Sequence, residues 1–300
     1  MPQKIAFITG GASGIGLSVA KALSSHPTVS WEIHIADLNA EAGKQALSEL
    51  MNAHFHQVNV TDYASLSRAF EAAYNASQRL DFVFANAGVV EKDNFYAQHD
   101  VQGPPPPPPN QLSVDINYKA VVDTSYLALH YFRKAKSRRE NSELDPVLVM
   151  TASCGALYPS EFCPMYSGSK AAVMHFNRAI AVAYHHEGIR TLSICPGMIR
   201  TGLMTQEEWS FFQPEQFTPV ESVRDTVVKL VDGGDLKDAK GVSKSRSEMW
   251  GLTVEINGQN FYFREAPEFC DDNMRTMMAH TSMTTQLARI EAAQKGASKL

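Results

Sequence analysis

Cysteine is scarce in this sequence. The four present, Cys154, Cys163, Cys195 and Cys270, show no CxxC pair and no ligand-like spacing, which argues against a disulfide scaffold or a zinc site and implies no metal. Long hydrophobic runs are missing as well. The first strongly apolar segment, residues 5–8, is far shorter than a membrane span, and no basic-then-apolar leader precedes it. No membrane partner is therefore expected, and the chain is read as starting near Met1 in the cytoplasm. An excess of basic charge is also lacking: 27 Lys and Arg stand against 32 Asp and Glu. That balance leaves no stripe to neutralise phosphates, so no nucleic acid is expected. No internal repeat and no convincing domain boundary is visible.

What is present is enough apolar material, 44% of 300 residues, for a sizeable core. Short β-rich runs alternate with helical stretches up to about residue 200. The strand candidates are Lys4–Thr9, Trp31–Asp37, 55–59, Phe82–Ala85, 147–153 and 190–195, and the helix candidates lie near 14–25, 40–51, 62–78, 111–137 and 164–187. Almost wholly apolar strands separated by helices predict an α/β fold: a single Rossmann-type, doubly wound parallel sheet with helices on both faces. We assign residues 1–270 to this domain and 271–300 to a C-terminal helical tail. Two segments interrupt the alternation. A run of six prolines at 104–109 reads as an extended surface spacer, with recruitment of a proline-binding module the less favoured reading. After Pro267, Met274, Met277, Met278, Met283, Leu287 and Ile290 predict an amphipathic helix packed on the body or a second subunit, frayed over 296–300.

The first strand runs into Thr9-Gly10-Gly11-Ala12-Ser13-Gly14-Ile15-Gly16 and then a helix pattern. Glycines at such a turn let the backbone approach a pyrophosphate at the positive end of the helix. Asp37 ends the next strand, where a carboxylate can accept both ribose hydroxyls and repel a 2′-phosphate. Neither Ser13 nor Leu38 offers a cation, so NAD is favoured over NADP. Asp37 as a mere helix cap is the bland alternative.

Ser153 is followed, after twelve intervening residues, by Tyr166-Ser167-Gly168-Ser169-Lys170. Tyr166 and Lys170 lie about one turn apart on one helix face. A free phenol titrates near pH 10, too high for a base at neutrality; a neighbouring ammonium and a positive nicotinamide are expected to lower it. Ser153 can donate a hydrogen bond to a substrate oxygen.

Taken together, these motifs resemble the short-chain dehydrogenase/reductase family, whose TGxxxGxG pattern is matched at Thr9, Gly10, Gly14 and Gly16. The resemblance implies adenine contacts at Asn59 and Val60, and a cofactor role for Asn86, Ala87 and Gly88. It further implies that Asn117 holds a water relaying protons from Lys170, and that Ile199 and Thr201 in Pro196-Gly197-Met198-Ile199-Arg200-Thr201 hold the nicotinamide carboxamide. Two positions depart from the family pattern: residue 59 is more often aspartate, and residue 85 often a second asparagine. The aspartate-ended second strand and the lack of a typical C-terminal strand motif look most like the NAD-linked 15-hydroxyprostaglandin dehydrogenase group.

The expected activity is hydride transfer between a nicotinamide cofactor and a secondary alcohol or ketone, with Tyr166 as general acid/base. A redox sensor, or a non-redox cyclase or isomerase on the same scaffold, is the alternative. Leu203, Met204, Trp209, Phe211, Phe212 and Phe217 form an aromatic segment read as a lid, in preference to plain packing, over a pocket for a small apolar alcohol or ketone. Surplus apolar positions predict a homodimer: Val121, Val122, Tyr126, Leu129 and Phe132 on one helix, and Ala172, Val173, Phe176, Ile180 and Val182 on another.

Overall fold

The computed structural model describes residues 3–138 and 144–297, in two compact units, Met1–Arg264 and Glu265–Leu300. The first opens with β1 (Lys4–Thr9), α1 (Gly14–Ser24), β2 (Trp31–Asp37), α2 (Ala40–Leu47), β3 (Ala53–Gln57), α3 (Tyr63–Ser77) and β4 (Phe82–Ala85). A long loop then carries the proline run, exposed and without regular structure. It leads into a short α4 (Leu112–Val114), a π-helical turn over Asp115–Lys119, and α5 (Ala120–Lys136). The chain continues through β5 (Val147–Thr151), α6 (Pro164–His186), β6 (Arg190–Pro196), α7 (Gln206–Trp209) and α8 (Val220–Asp232). It finishes with β7 (Leu236–Lys237), β8 (Ser243–Lys244), β9 (Leu252–Asn257) and β10 (Asn260–Arg264).

Eight strands form one sheet in the order β10-β9-β6-β5-β4-β1-β2-β3, parallel throughout except for the β9–β10 pair. Alternation along β1 shows how the sheet is covered on both sides. Ile5 and Phe7 face a core shared with Leu66 and Phe70 of α3, Phe132 of α5 and Val173 of α6. Ala6 and Ile8 face the other core, with Val19 and Leu23 of α1 and Val223 and Val227 of α8. Order reverses between β1 and β4, so a crevice opens there above the carboxyl ends of the strands.

Strands β7 to β10 correct the sequence reading, which placed no strand after residue 200. For β9 and β10 the signal was present: Asn257-Gly258 sits between two β-rich runs, and Gly258 adopts φ 57° in a two-residue hairpin loop. The helix expected from 111 to 137 runs from Leu112 to Lys136 with helical backbone throughout, broken in register only by the π-helical turn over Asp115–Lys119.

The second unit holds α9 (Asp272–His280) and α10 (Met283–Ala297), so the one amphipathic helix expected there is two. Asp271 caps α9 by accepting from Met274 N–H, and the Ser282 hydroxyl accepts from Thr285 N–H where the chain restarts. The part of the expected frayed end from 298 onward lies outside the described residues.

Candidate active site

The turn after β1 is shaped by contacts that only glycine tolerates. A Cβ on Gly16 would lie 2.2 Å from the Gly10 carbonyl oxygen. Gly10 and Gly14 adopt φ of 63° and 51°. Ser13 precedes α1 without making a side-chain cap, and the first turn holds no acidic residue. The N–H groups and dipole at this helix end therefore suit an anionic group. Ile15 packs partly into the core beneath.

Asp37 caps the neighbouring strand and braces this turn: its carboxylate accepts from Ala12 N–H at 3.1 Å and from Asn39 N–H at 3.1 Å. Each oxygen keeps a second lone pair for a ribose hydroxyl. Leu38 beside it is 65% exposed and uncharged. The Asn59 side-chain oxygen accepts the N–H and hydroxyl of Thr61. Val60 is buried, so its side chain serves the core.

Asn86 links the crevice walls. Its N–H donates to the Thr9 hydroxyl, its amide reaches the carbonyls of Thr9 and Gly10, and its oxygen accepts from the Thr151 hydroxyl at 3.0 Å. Ala87 N–H shares the Thr9 hydroxyl. Gly88 leaves room for what lies behind it, since a Cβ there would stand 3.2 Å from Lys170 Nζ and 3.1 Å from Asn117 Oδ1.

Lys170 is buried, and its ammonium donates to the Thr151 carbonyl at 2.8 Å. Burial pushes its pKa down from 10.5 to about 8. The Tyr166 ring centroid is 5.9 Å from Nζ. Burial pushes the Tyr166 phenol above its ordinary value, against a downward pull from its hydrogen bond with Ser153. The chain's own groups thus raise the phenol, and the lowering expected from the sequence requires the positive nicotinamide as well as the ammonium. Lys170 is itself desolvated and several ångströms from the ring, and does not reverse the effect. Ser153, two residues past β5, accepts from Gly155 N–H at 3.0 Å, and its hydroxyl donates only a weak, replaceable bond to Cys154 Sγ at 3.9 Å.

Asn117 sits fully buried in the π-helical turn, a distortion common at functional sites. Its side chain bonds both backbone groups of Val89, at 2.8 Å each, and the Ser169 hydroxyl.

After β6, Pro196 is buried and Gly197 packs closely on Thr218 and Asn257. Ile199 is buried in the core, which leaves its backbone to make any carboxamide contact. The Thr201 methyl lies against Gly14, so this segment closes over the glycine turn.

A family model for short chain dehydrogenases matches residues 4–210. The chain belongs to this family. The short-chain dehydrogenase/reductase prx7 of Penicillium rubens is 44% identical over 285 residues, 92% of this chain and 99% of that one. Human 15-hydroxyprostaglandin dehydrogenase [NAD(+)] is 29% identical over 213 residues, 68% of this chain and 71% of that one. The crystal structure of a 3-ketoacyl-(acyl-carrier-protein) reductase from Brucella melitensis, complexed with NADH, shares the fold. It has TM-score 0.69 and 19% identity, and covers 85% of this chain and 97% of its own.

In this short-chain dehydrogenase one neighbour of the catalytic candidates escaped the sequence reading. Glu91, five residues past Asn86, accepts the Tyr166 N–H at 2.5 Å and so caps the first turn of α6. An acid near a helix start is legible only when it is adjacent in sequence, and this one comes from 75 residues away. The aromatic segment after residue 201 is anchored to the site. Trp209 Nε1 donates to the Thr201 carbonyl at 3.1 Å, Trp209, Phe212 and Phe217 pack together, and Arg200 stacks on Phe217. Phe211 alone of its aromatics points largely to solvent.

Proposed function

We propose that this short-chain dehydrogenase is an NAD-dependent oxidoreductase acting on a secondary alcohol or ketone of apolar character, with Tyr166 moving the proton. The observation that carries the reading is the convergence of Ser153, Tyr166 and Lys170 beside the glycine turn at the β1/β4 crevice. NAD, when bound, supplies or accepts the hydride at carbon.

The residues fit such a cofactor. The open helix end at Ser13 and Gly14 suits its pyrophosphate, and Asp37 its ribose. Without a cation at Ser13 or Leu38, a 2′-phosphate would meet only the Asp37 carboxylate, which favours NAD over NADP. The printed names of the human relative and the Brucella reductase, one with NAD(+) and one with NADH, support the same preference.

In reduction, the Ser153 hydroxyl hydrogen-bonds the substrate oxygen while Tyr166 Oη delivers its proton to that oxygen as negative charge develops. The raised phenol pKa keeps this proton in place until it is needed. In oxidation Tyr166 takes the proton from the alcohol. To accept it Tyr166 must start as the phenolate, which Lys170, still mostly cationic at pH 7 with a pKa of about 8, and the positive charge of an oxidised cofactor would favour. Asn117 holds the water that reconnects Lys170 to solvent. The Trp209–Phe217 segment, anchored at the Thr201 carbonyl, would serve as a lid that excludes water from the reacting oxygen.

Four free thiols support a reducing compartment such as the cytoplasm. Among the described residues no helix is long and apolar enough to cross a membrane.

A panel of secondary alcohols assayed for NADH formation tests the reading. Tyr166→Phe should bind NAD normally yet lose turnover by about 100-fold or more. Near-normal turnover in that variant would overturn the mechanism.

A further inference from the structure

Far from the crevice, β2 and β3 bring three imidazoles and a carboxylate onto one face of the sheet. The parallel register aligns His34 with His54 and Ala36 with His56. Alternate residues of a strand share a face, so Glu32 and His34 of β2 meet His54 and His56 of β3. We propose that Glu32, His34 and His54 form a binding site for a divalent transition metal of the zinc type, clamping edge strand β3 to β2.

Oε1 of Glu32 lies 3.4 Å from Nε2 of His34 and 3.0 Å from Nε2 of His54, and the three donor atoms all fall within 4.8 Å of one another. With metal–ligand bonds of about 2.0–2.1 Å, tetrahedral ligands stand roughly 3.3 Å apart. The His34 and His54 rings are stacked, with centroids 4.6 Å apart and planes 18° from parallel, so an ion is admitted when the half-exposed His54 ring turns to aim its Nε2 lone pair beside Glu32. The supports around these ligands are also in place. Nδ1 of His34 is 2.9 Å from Nε2 of His56, which fixes the ring, and the Ser77 hydroxyl donates to the second Glu32 oxygen at 2.8 Å.

His34 Nε2 is buried and has no hydrogen-bond partner. If Nδ1 carries the ring proton toward His56, Nε2 presents a lone pair to a carboxylate, an arrangement that a cation relieves. In the other tautomer the Nε2 proton faces Glu32 with geometry too poor for a hydrogen bond. Two imidazoles and one carboxylate suit zinc, nickel or cobalt over calcium or magnesium. The His54 side chain is 49% exposed, which provides an entry path and room for a water as fourth ligand. Sheet order separates β2 from β5 by β1 and β4, about 14 Å at 4.8 Å per strand. The ion's work here is structural.

The test uses the full chain stripped with a chelator and titrated with Zn²⁺ by calorimetry, with Co²⁺ as a visible-absorbance probe. One tight equivalent in the micromolar range or below is expected, with Tm raised by about 5 °C at a hundredfold excess over Kd. His54→Gln alters a half-exposed ring and should fold normally, yet weaken Zn²⁺ binding more than tenfold. His56→Ala removes only the orienting partner and should weaken it by about tenfold. Absence of saturable Zn²⁺ uptake overturns the proposal, as does uptake that His54→Gln and Glu32→Gln leave unchanged.

Discussion

Replacing Lys170 by methionine should make the cofactor-free protein more stable while removing its activity. The ammonium is 3% exposed and has one hydrogen-bond acceptor in contact, the Thr151 carbonyl. Lowering a lysine from 10.5 to about 8 corresponds to roughly 3 kcal/mol against the charged form. Methionine fills a similar volume without charge. Against this gain stands the lost hydrogen bond at Thr151, which costs about 1–2 kcal/mol. The net expectation is a stabilisation of about 1–2 kcal/mol at pH 7, or a Tm higher by about 2–6 °C. The pH dependence gives the sharper signature. Below pH 8 lysine is protonated in both folded and unfolded chains, so the full penalty applies. Between 8 and 10.5 the folded state releases its proton while the unfolded state keeps it, so wild-type stability rises with pH relative to the variant. Urea unfolding of both proteins from pH 7 to 10 reads the gap directly. A variant less stable than wild type at pH 7, or a gap constant across that window, would refute the reasoning.

Asp37→Ala should narrow the preference for NAD over NADP without reversing it, because Ser13 and Leu38 still supply no cation; kcat/KM with both cofactors measures this, and a wild-type preference for NADP sinks the assignment. Gly16→Ala should cost about 1–3 kcal/mol and most of the cofactor affinity, since its methyl would fall 2.2 Å from the Gly10 oxygen; an unchanged urea midpoint counts against that account. Light scattering at micromolar concentration should report a homodimer. Val121, Phe132 and Val173 are buried in the subunit's own core, but Tyr126 is 67% exposed, and Leu129, Phe176 and Ile180 are only partly covered. An active monomer would remove the need for a partner.

Local chemistry made much of this legible in advance. The glycine turn, Asp37 at a strand end and the Ser153–Tyr166–Lys170 spacing are short-range patterns, and six of the eight main strands follow from apolar runs between helices. What stayed hidden depends on register or on distant chain. Glu-x-His at 32–34 and His-x-His at 54–56 are plain in the sequence, but their meeting requires the β2–β3 pairing. Glu91 reaches Tyr166 only through the fold. The phenol's upward shift is equally a property of packing. Residue type predicts which groups titrate, while burial decides in which direction. The 252–264 hairpin carries its own signal at Asn257-Gly258, between two β-rich runs, but lies beyond the stretch in which strands and helices alternate.

Thr151 has consequences beyond its own size. Its hydroxyl holds Asn86, which holds Thr9 and the Gly10 carbonyl, and its own carbonyl holds Lys170. Three neighbouring strands are thereby tied across their upper ends by side chains as well as by the ladder beneath. The tie works like a lintel: the openings above it can be rebuilt without moving the frame. A loop carrying six consecutive prolines can hang between β4 and α4, and the segment after residue 201 can be remodelled for a different substrate, while the distance from glycine turn to lysine stays fixed. Substrate range in this protein is thus free to drift loop by loop, whereas Thr9, Asn86 and Thr151 are expected to change only together.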